Sequence, residues 1–386
     1  MSTTVNSGFN RQDIRDQFPI LDQGLYLNHA AIAPWPRKTA EDVQAFALEN
    51  TDKGPLAYRD WILRENELRR LLTRLTGANS EDDIALLKNT TEGISLVAWG
   101  LDWQDGDNIV LPRDEFPSNR LPWLAQVAHG VEVREIDIRA ADNAENALIE
   151  AMDDRTRLLS TSAVQWSDGF RIDLEKLGRH CRSTSALFFV DAIQQLGALP
   201  LDVEACHIDF LAADAHKWLL GPEGIAVFYS RASARPRLNL IQQGWHMYDK
   251  PWNFHRKKWE PSSSARRFEA GSPNTMGQVA LHASLKMLLE TGMDQVSERI
   301  LKNTEYLIGA LAHIPGIWIS SCTEPERRSG IVSFNHQDIS PNSLNSQLAK
   351  AGVSCAVRGK SIRLSPHFYQ DESDLSDFIH ILKNIH

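Results

Sequence analysis

Short apolar runs alternate with longer amphipathic stretches through the middle of the chain. Residues 84–87, 108–111, 131–136, 157–163, 186–191 and 208–212 have strand length and composition. Between most of them lie stretches with helical spacing, as at 119–129, 145–152 and 174–183. Strands alternating with helices predict crossover units and a mainly parallel sheet covered on both faces. Residues 224–229 follow the last run after a short connection, which suits an antiparallel strand. Beyond about Pro261 the pattern changes. Two long helices are expected over 276–289 and 293–311, then strands at 317–320 and 331–335, a helix at 341–350, strands at 353–357 and 361–365, and a last helix from Glu372. The expected organisation is an arm at 1–25 packing with the small domain, a large domain at 26–265 and an α+β small domain at 266–386.

Composition narrows the function classes. A chain of 386 residues with 42% hydrophobic and 24% charged residues can fill a large core and a smaller one. The net charge of −9 disfavours nucleic-acid or anionic-membrane partners. The basic runs 255–258 and 266–267 read as solvated loop or interface residues. Cys181, Cys206, Cys322 and Cys355 are scattered without a C-x-x-C pair, so neither a zinc site nor a disulfide framework is indicated. Residues 1–20 lack an apolar h-region and no apolar run reaches membrane length, so a cytoplasmic protein is expected. Neither dinucleotide-binding nor P-loop glycine patterns are present.

Ligands of parallel α/β sheets collect at the carboxyl ends of the strands, and the predicted ends carry four suggestive groups. Asn89-Thr90-Thr91-Glu92-Gly93 opens a helix whose free N–H groups, with the Thr90 and Thr91 hydroxyls, suit a phosphate; an ordinary helix cap explains it too. Asp191 ends an apolar strand, where a carboxylate needs a cation such as a protonated pyridine nitrogen, or else caps the next helix. Gln194, three residues on, is within range of the same ligand's phenolic oxygen. Lys217 follows a buried strand and precedes Trp218-Leu219-Leu220; desolvation there lowers an amine's pKa and favours condensation with an aldehyde. An exposed surface lysine is the plainer alternative. Phe116, after the strand at 108–111, suits either the face of a planar ring or the core.

With these sites in order, the sequence resembles the class V aminotransferase family, a branch of the fold-type-I pyridoxal-phosphate (PLP) enzymes. The resemblance runs from Tyr26-Leu27-Asn28-His29-Ala30-Ala31 through Val190-Asp191-Ala192-Ile193-Gln194, Ala213-Asp214-Ala215-His216-Lys217-Trp218 and the segment 267–275 to Ser361-Ile362-Arg363-Leu364-Ser365. It implies that Lys217 is the Schiff-base lysine and Asp191 the partner of the ring nitrogen. Gln194 is implied at the phenolic oxygen, Thr91 at the phosphate with His216 nearby, and Phe116 on the ring face. Thr275 is implied as a phosphate contact from a second subunit, hence a homodimer with composite sites. Arg363 is implied on the substrate carboxylate, and Asn28 and His29 on the substrate side.

Departures from the family pattern bear on the reaction. Asp214 stands where desulfurases place a phosphate-binding Ser or Thr, and Trp166 where many relatives have Asn. Desulfurases carry a mobile loop with a nucleophilic cysteine before the carboxylate-binding arginine, but only residues 359–362 separate Arg358 from Arg363. Cys355 reads as a core thiol. Transamination of an α-amino acid is therefore the leading expectation. Cysteine desulfuration or C–S lysis, epimerisation, and a non-catalytic PLP-binding module are the alternatives. Trp35, Trp166, Trp245, His246 and His29 are the expected pocket members.

Overall fold

The computed structural model describes residues 11–385. Helix α1 (Arg11–Asp16) and strand β1 (Leu25–Tyr26) lead into two long helices, α2 (Arg37–Lys53) and α3 (Tyr58–Thr76). Then follow β2 (Ile84–Leu87), α4 (Thr90–Gly100), β3 (Asn108–Pro112), α5 (Leu121–Leu124), β4 (Glu132–Ile136) and α6 (Ala144–Glu150). The alternation continues through β5 (Thr156–Ser162), α7 (Leu174–Ser183), β6 (Leu187–Asp191), β7 (Phe210–Asp214) and β8 (Ala226–Ser230). These strands form one seven-stranded sheet in the order β2-β8-β7-β6-β5-β3-β4. Its neighbours are parallel except for β8, which runs antiparallel to β2 and β7, as the short connection before it implied.

Every residue of β2, β3, β6, β7 and β8 is buried, the mark of a sheet covered on both faces. One face packs Leu68 and Leu72 of α3 with Leu177 of α7; the other packs Ile94 and Val97 of α4 with Trp123. The fold is mixed α/β with a large, mainly parallel sheet. The chain steps from β4 across β3 to β5, so the crevice at the carboxyl ends of β3, β5, β6 and β7 lies at a topological switch point.

Helices α8 (Thr275–Thr291) and α9 (Met293–Leu311) lead to a second, antiparallel sheet. It joins β9 (Ile317–Ile319), β10 (Val332–His336), β12 (Ala356–Arg358) and β13 (Ser361–Leu364) in the order β12-β13-β10-β9. With α10 (Pro341–Lys350), β11 (Val353–Ser354) and α11 (Glu372–Lys383), it encloses Phe334, Ile362, Leu364 and Phe378.

Several elements differ from the sequence reading. The strand expected at 353–357 divides at Cys355: Val353–Ser354 pairs with β1, whereas Ala356–Arg358 pairs with β13. The helix expected at 119–129 is one α turn continued by a 3-10 segment, Ala125–His129, with Pro122 lacking an amide donor at its start. Leu281 and Leu285 of α8 bury themselves in the large sheet's core, although residues from 266 onward were expected in the small domain. Residues 1–10 of the expected arm lie outside the described residues. Within the rest of that arm, Arg15 pairs with Asp374 at 2.7 Å and Phe18 stacks on Tyr369 with centroids 3.6 Å apart. Among the described residues no helix is long and apolar enough to cross a membrane.

Candidate active site

The loop after β7 carries Lys217, and its shape follows from a few tight contacts. Leu220 N–H bonds to Lys217 O at 3.0 Å and Gly221 N–H to Ala215 O at 2.9 Å. Leu220 sits at φ 57°, a left-handed conformation that costs a side-chain-bearing residue energy and tends to persist at functional loops. Trp218 is fully buried, its Nε1–H donating to Gln194 Oε1 at 2.9 Å. Gly197 permits this packing, since a Cβ there would lie 2.3 Å from Trp218 O. From this loop the Lys217 side chain faces the carboxyl ends of the strands.

There it enters a cavity of about 400 Å³ whose walls include Thr90, Thr91, Phe116, Asp191, Gln194, His216 and Arg363. Lys217 is 8% exposed and Asp191 2%. Burial draws the lysine's pKa down, against the attraction of Asp191, with Arg363 lowering it further. Burial pushes the Asp191 carboxyl up, while the Ile193 N–H, 3.0 Å from Oδ1, opposes the rise. Phe116 covers one side of the cavity, with its ring centroid 5.6 Å from Lys217 Nζ. The Trp166 ring meets Phe116 edge-on at 5.5 Å, held by Nε1–H donation to Asp114 O at 2.9 Å.

Arg363 projects from β13 into the same cavity and is 1% exposed. One Nη1–H bonds to Trp166 O at 2.5 Å, but Nε and Nη2 have no partner. Burial, then the like charge of Arg358, brings its pKa down to about 9. An unpaired buried guanidinium costs several kcal/mol, and a planar carboxylate is the partner that satisfies two of its donors together.

These residues fit the pyridoxal phosphate expected from the sequence. Lys217 offers a desolvated amine, Asp191 a buried acid for a ring nitrogen, and Phe116 a ring face. The first turn of α4 presents Thr90 and Thr91, with N–H groups that no helical carbonyl can reach. The helix-cap alternative also holds, since Asn89 Oδ1 accepts from Glu92 N–H at 2.8 Å. One residue run serves both ends.

The sequence model of the family described as Aminotransferase class-V matches residues 25–378. The chain belongs to that family. Among curated class-V relatives it is 29% identical to a probable cysteine desulfurase of Methanothermobacter thermautotrophicus, covering 94% of this chain and 95% of that one. It is likewise 29% identical to a cysteine desulfurase of Salmonella newport, over 85% of this chain and 83% of the other. Among solved structures, the Escherichia coli cysteine desulfurase CsdA superposes with a TM-score of 0.86 at 25% identity, covering 97% and 98% of the two chains. The cystine C-S lyase C-DES, solved with cysteine persulfide, superposes at 0.88 with 24% identity, covering 96% and 100%, which speaks to the fold.

Within this class-V scaffold, Asn28 and His29 do not reach the cavity. His29 is fully buried, its ring nitrogens 2.8 Å from Ser365 O and 2.5 Å from Tyr369 Oη. Ala30, Ala31 and Ile32, the next residues, form that wall instead. Asn28 is tied by a β-bridge to Ser365, and neither Asn28 nor His29 is among the residues that line the cavity.

Gln194 reaches the cavity, but its Oε1 is held by Trp218 and one N–H by Ala30 O at 3.0 Å, leaving one donor free in principle. Thr91 Oγ1 donates to Ser118 Oγ and Thr90 Oγ1 accepts from Asp214 N–H. Asp214 turns its Oδ1 to Ala215 N–H at 2.9 Å and lies 3.1 Å from His216 Nδ1, so the acid is engaged within its own loop. Thr275 starts α8, outside this chain's cavity lining. Of the aromatic and histidine residues expected in the pocket, Trp166 lines it while Trp35, Trp245 and His246 do not. Arg358 and Glu223 were not singled out as lining residues, since neither belongs to a run whose pattern marks a site.

Proposed function

We propose that this class-V protein is a PLP enzyme that breaks the C–S bond of a sulfur-bearing α-amino acid by elimination, without a protein thiol. The desulfurase names of its relatives support sulfur chemistry over plain transamination. One observation carries the route: none of the four cysteines lines the cavity that holds Lys217 and Arg363. The Cys355 thiol lies 3.3 Å from Asn345 Oδ1, and burial pushes it up to about 12. A thiol so protonated is a poor nucleophile at neutral pH.

When bound, pyridoxal phosphate supplies an aldehyde for amines and an electron-withdrawing ring for the bonds at Cα. Asp191 would hold a proton at the ring nitrogen, and Thr90 and Thr91 would bind the phosphate at the α4 start. Arg363 grips the substrate carboxylate through Nε and Nη2 and so fixes which bond faces Lys217. Lys217, with its amine desolvated toward the neutral form, takes the Cα proton. The pair left at Cα would then form the Cα–Cβ double bond as the Cβ–S pair leaves with sulfur. Phe116 and Trp166 form one wall of this volume.

Cystine needs no protein thiol, because cystine and water give pyruvate, ammonia and cysteine persulfide. Purified holoenzyme should release pyruvate and ammonia in equal amounts, together with cysteine persulfide from cystine and sulfide from cysteine. Alanine accompanied by persulfide on Cys355 would overturn the elimination route. Keto acid formed without sulfur release would return the enzyme to transamination.

A further inference from the structure

Glu115 is a buried carboxylate that none of the chemistry above uses. It immediately precedes Phe116, is 4% exposed, and burial raises its pKa. Its hydrogen-bond partners are uncharged: Ser162 N–H at 2.6 Å and Gln165 Nε2–H at 3.1 Å on Oε1, and the Ser162 hydroxyl on Oε2. Ser162 ends β5 and stands in register with Asp191 at the end of β6. Gln165 precedes Trp166, whose carbonyl receives Arg363. One carboxylate thus joins the segment bearing Phe116 to the strand end beside Asp191 and to the turn that carries Trp166. Burying a carboxylate without a cation is costly, an unusual expense for filling space where an apolar side chain would do.

We propose that Glu115 is a positioning residue, clamping its segment against β5 so that the Phe116 ring stays over Lys217 and the cofactor ring. The inference rests on the reading of Phe116 as the cover of that ring. Glutamine retains all three contacts, since its carbonyl accepts both N–H donors and its amide can donate to Ser162 Oγ. Alanine retains none.

The test compares holoenzyme carrying Glu115→Gln, Glu115→Ala, Phe116→Ala and the Glu115→Ala/Phe116→Ala pair. It reads the rate of pyridoxal phosphate release on dialysis and the visible circular dichroism of the bound cofactor. Glu115→Ala should speed release on the order of tenfold, as orphaned buried donors would, and weaken the visible signal. Glu115→Gln should stay within about twofold of wild type, and Glu115→Ala should add less than about twofold on top of Phe116→Ala. Wild-type behaviour of Glu115→Ala, full additivity with Phe116→Ala, or a Gln variant as impaired as Ala overturns the proposal. A silent Phe116→Ala would instead defeat the ring-cover reading, and the clamp with it. If Glu115→Ala does not fold, Ser162→Ala, which removes the hydroxyl donor, is held to the same two criteria.

Discussion

Lys217 Nζ lies 5.6 Å from the centroid of the Phe116 ring. The two residues come from loops after different strands, β7 and β3, and converge because those strands end at the same crevice. Asp191 and Arg363 line the same cavity, so the amine shares one small volume with an aromatic surface, an acid and a guanidinium that has no carboxylate partner.

The guanidinium gives the first prediction. Arg363→Lys keeps a cation but loses the two-pronged donor, so KM for α-amino acids should rise about tenfold or more with kcat much less affected. Steady-state kinetics on cystine measures the split. An unchanged KM would move the carboxylate contact elsewhere.

Cys355 gives the second. It sits where the chain leaves β11 for β12, outside the cavity, with its thiol held protonated by burial. Cys355→Ser should therefore leave sulfur release from cystine within about twofold of wild type, as expected of a site away from the reacting atoms. Loss of release would make that thiol part of the chemistry.

How far the site was legible follows from what each residue signals. Asp191 and Lys217 stood out because each interrupts an apolar run at a strand end, where a charge is costly. Glu115 did not, because beside Phe116 it looks like an ordinary loop acid until the fold closes over it. The change of partner at Cys355 has no pattern of its own, since both halves alternate like one strand. Helices α2 and α3 went unassigned even though Leu68, Leu71, Leu72 and Leu75 of α3 keep helical spacing and are buried. His29 differs again: a polar side chain near a ligand loop suggests substrate contact, and in the fold Ser365 and Tyr369 engage both its nitrogens.

That burial gives the third prediction. His29 is drawn down from 6.5 to about 4 by desolvation, opposed by its hydrogen bond to Ser365. Below pH 6.5 the unfolded chain takes up a proton at this position that the folded chain refuses until about pH 4. Stability should therefore fall on acidification across that window, by on the order of a few kcal/mol for one such group. His29→Asn should flatten the slope of unfolding free energy against pH by nearly one proton relative to wild type in denaturant titrations between those pH values. Equal slopes would mean that His29 titrates normally in the fold.

The most direct measurement concerns the amine itself. Borohydride reduction of the holoenzyme, followed by proteolysis and peptide mapping, should find the pyridoxyl group on Lys217. Lys217→Ala protein should lose turnover and carry no such adduct. A label recovered on any other lysine, or an unlabelled position 217 in cofactor-loaded protein, would contradict the account.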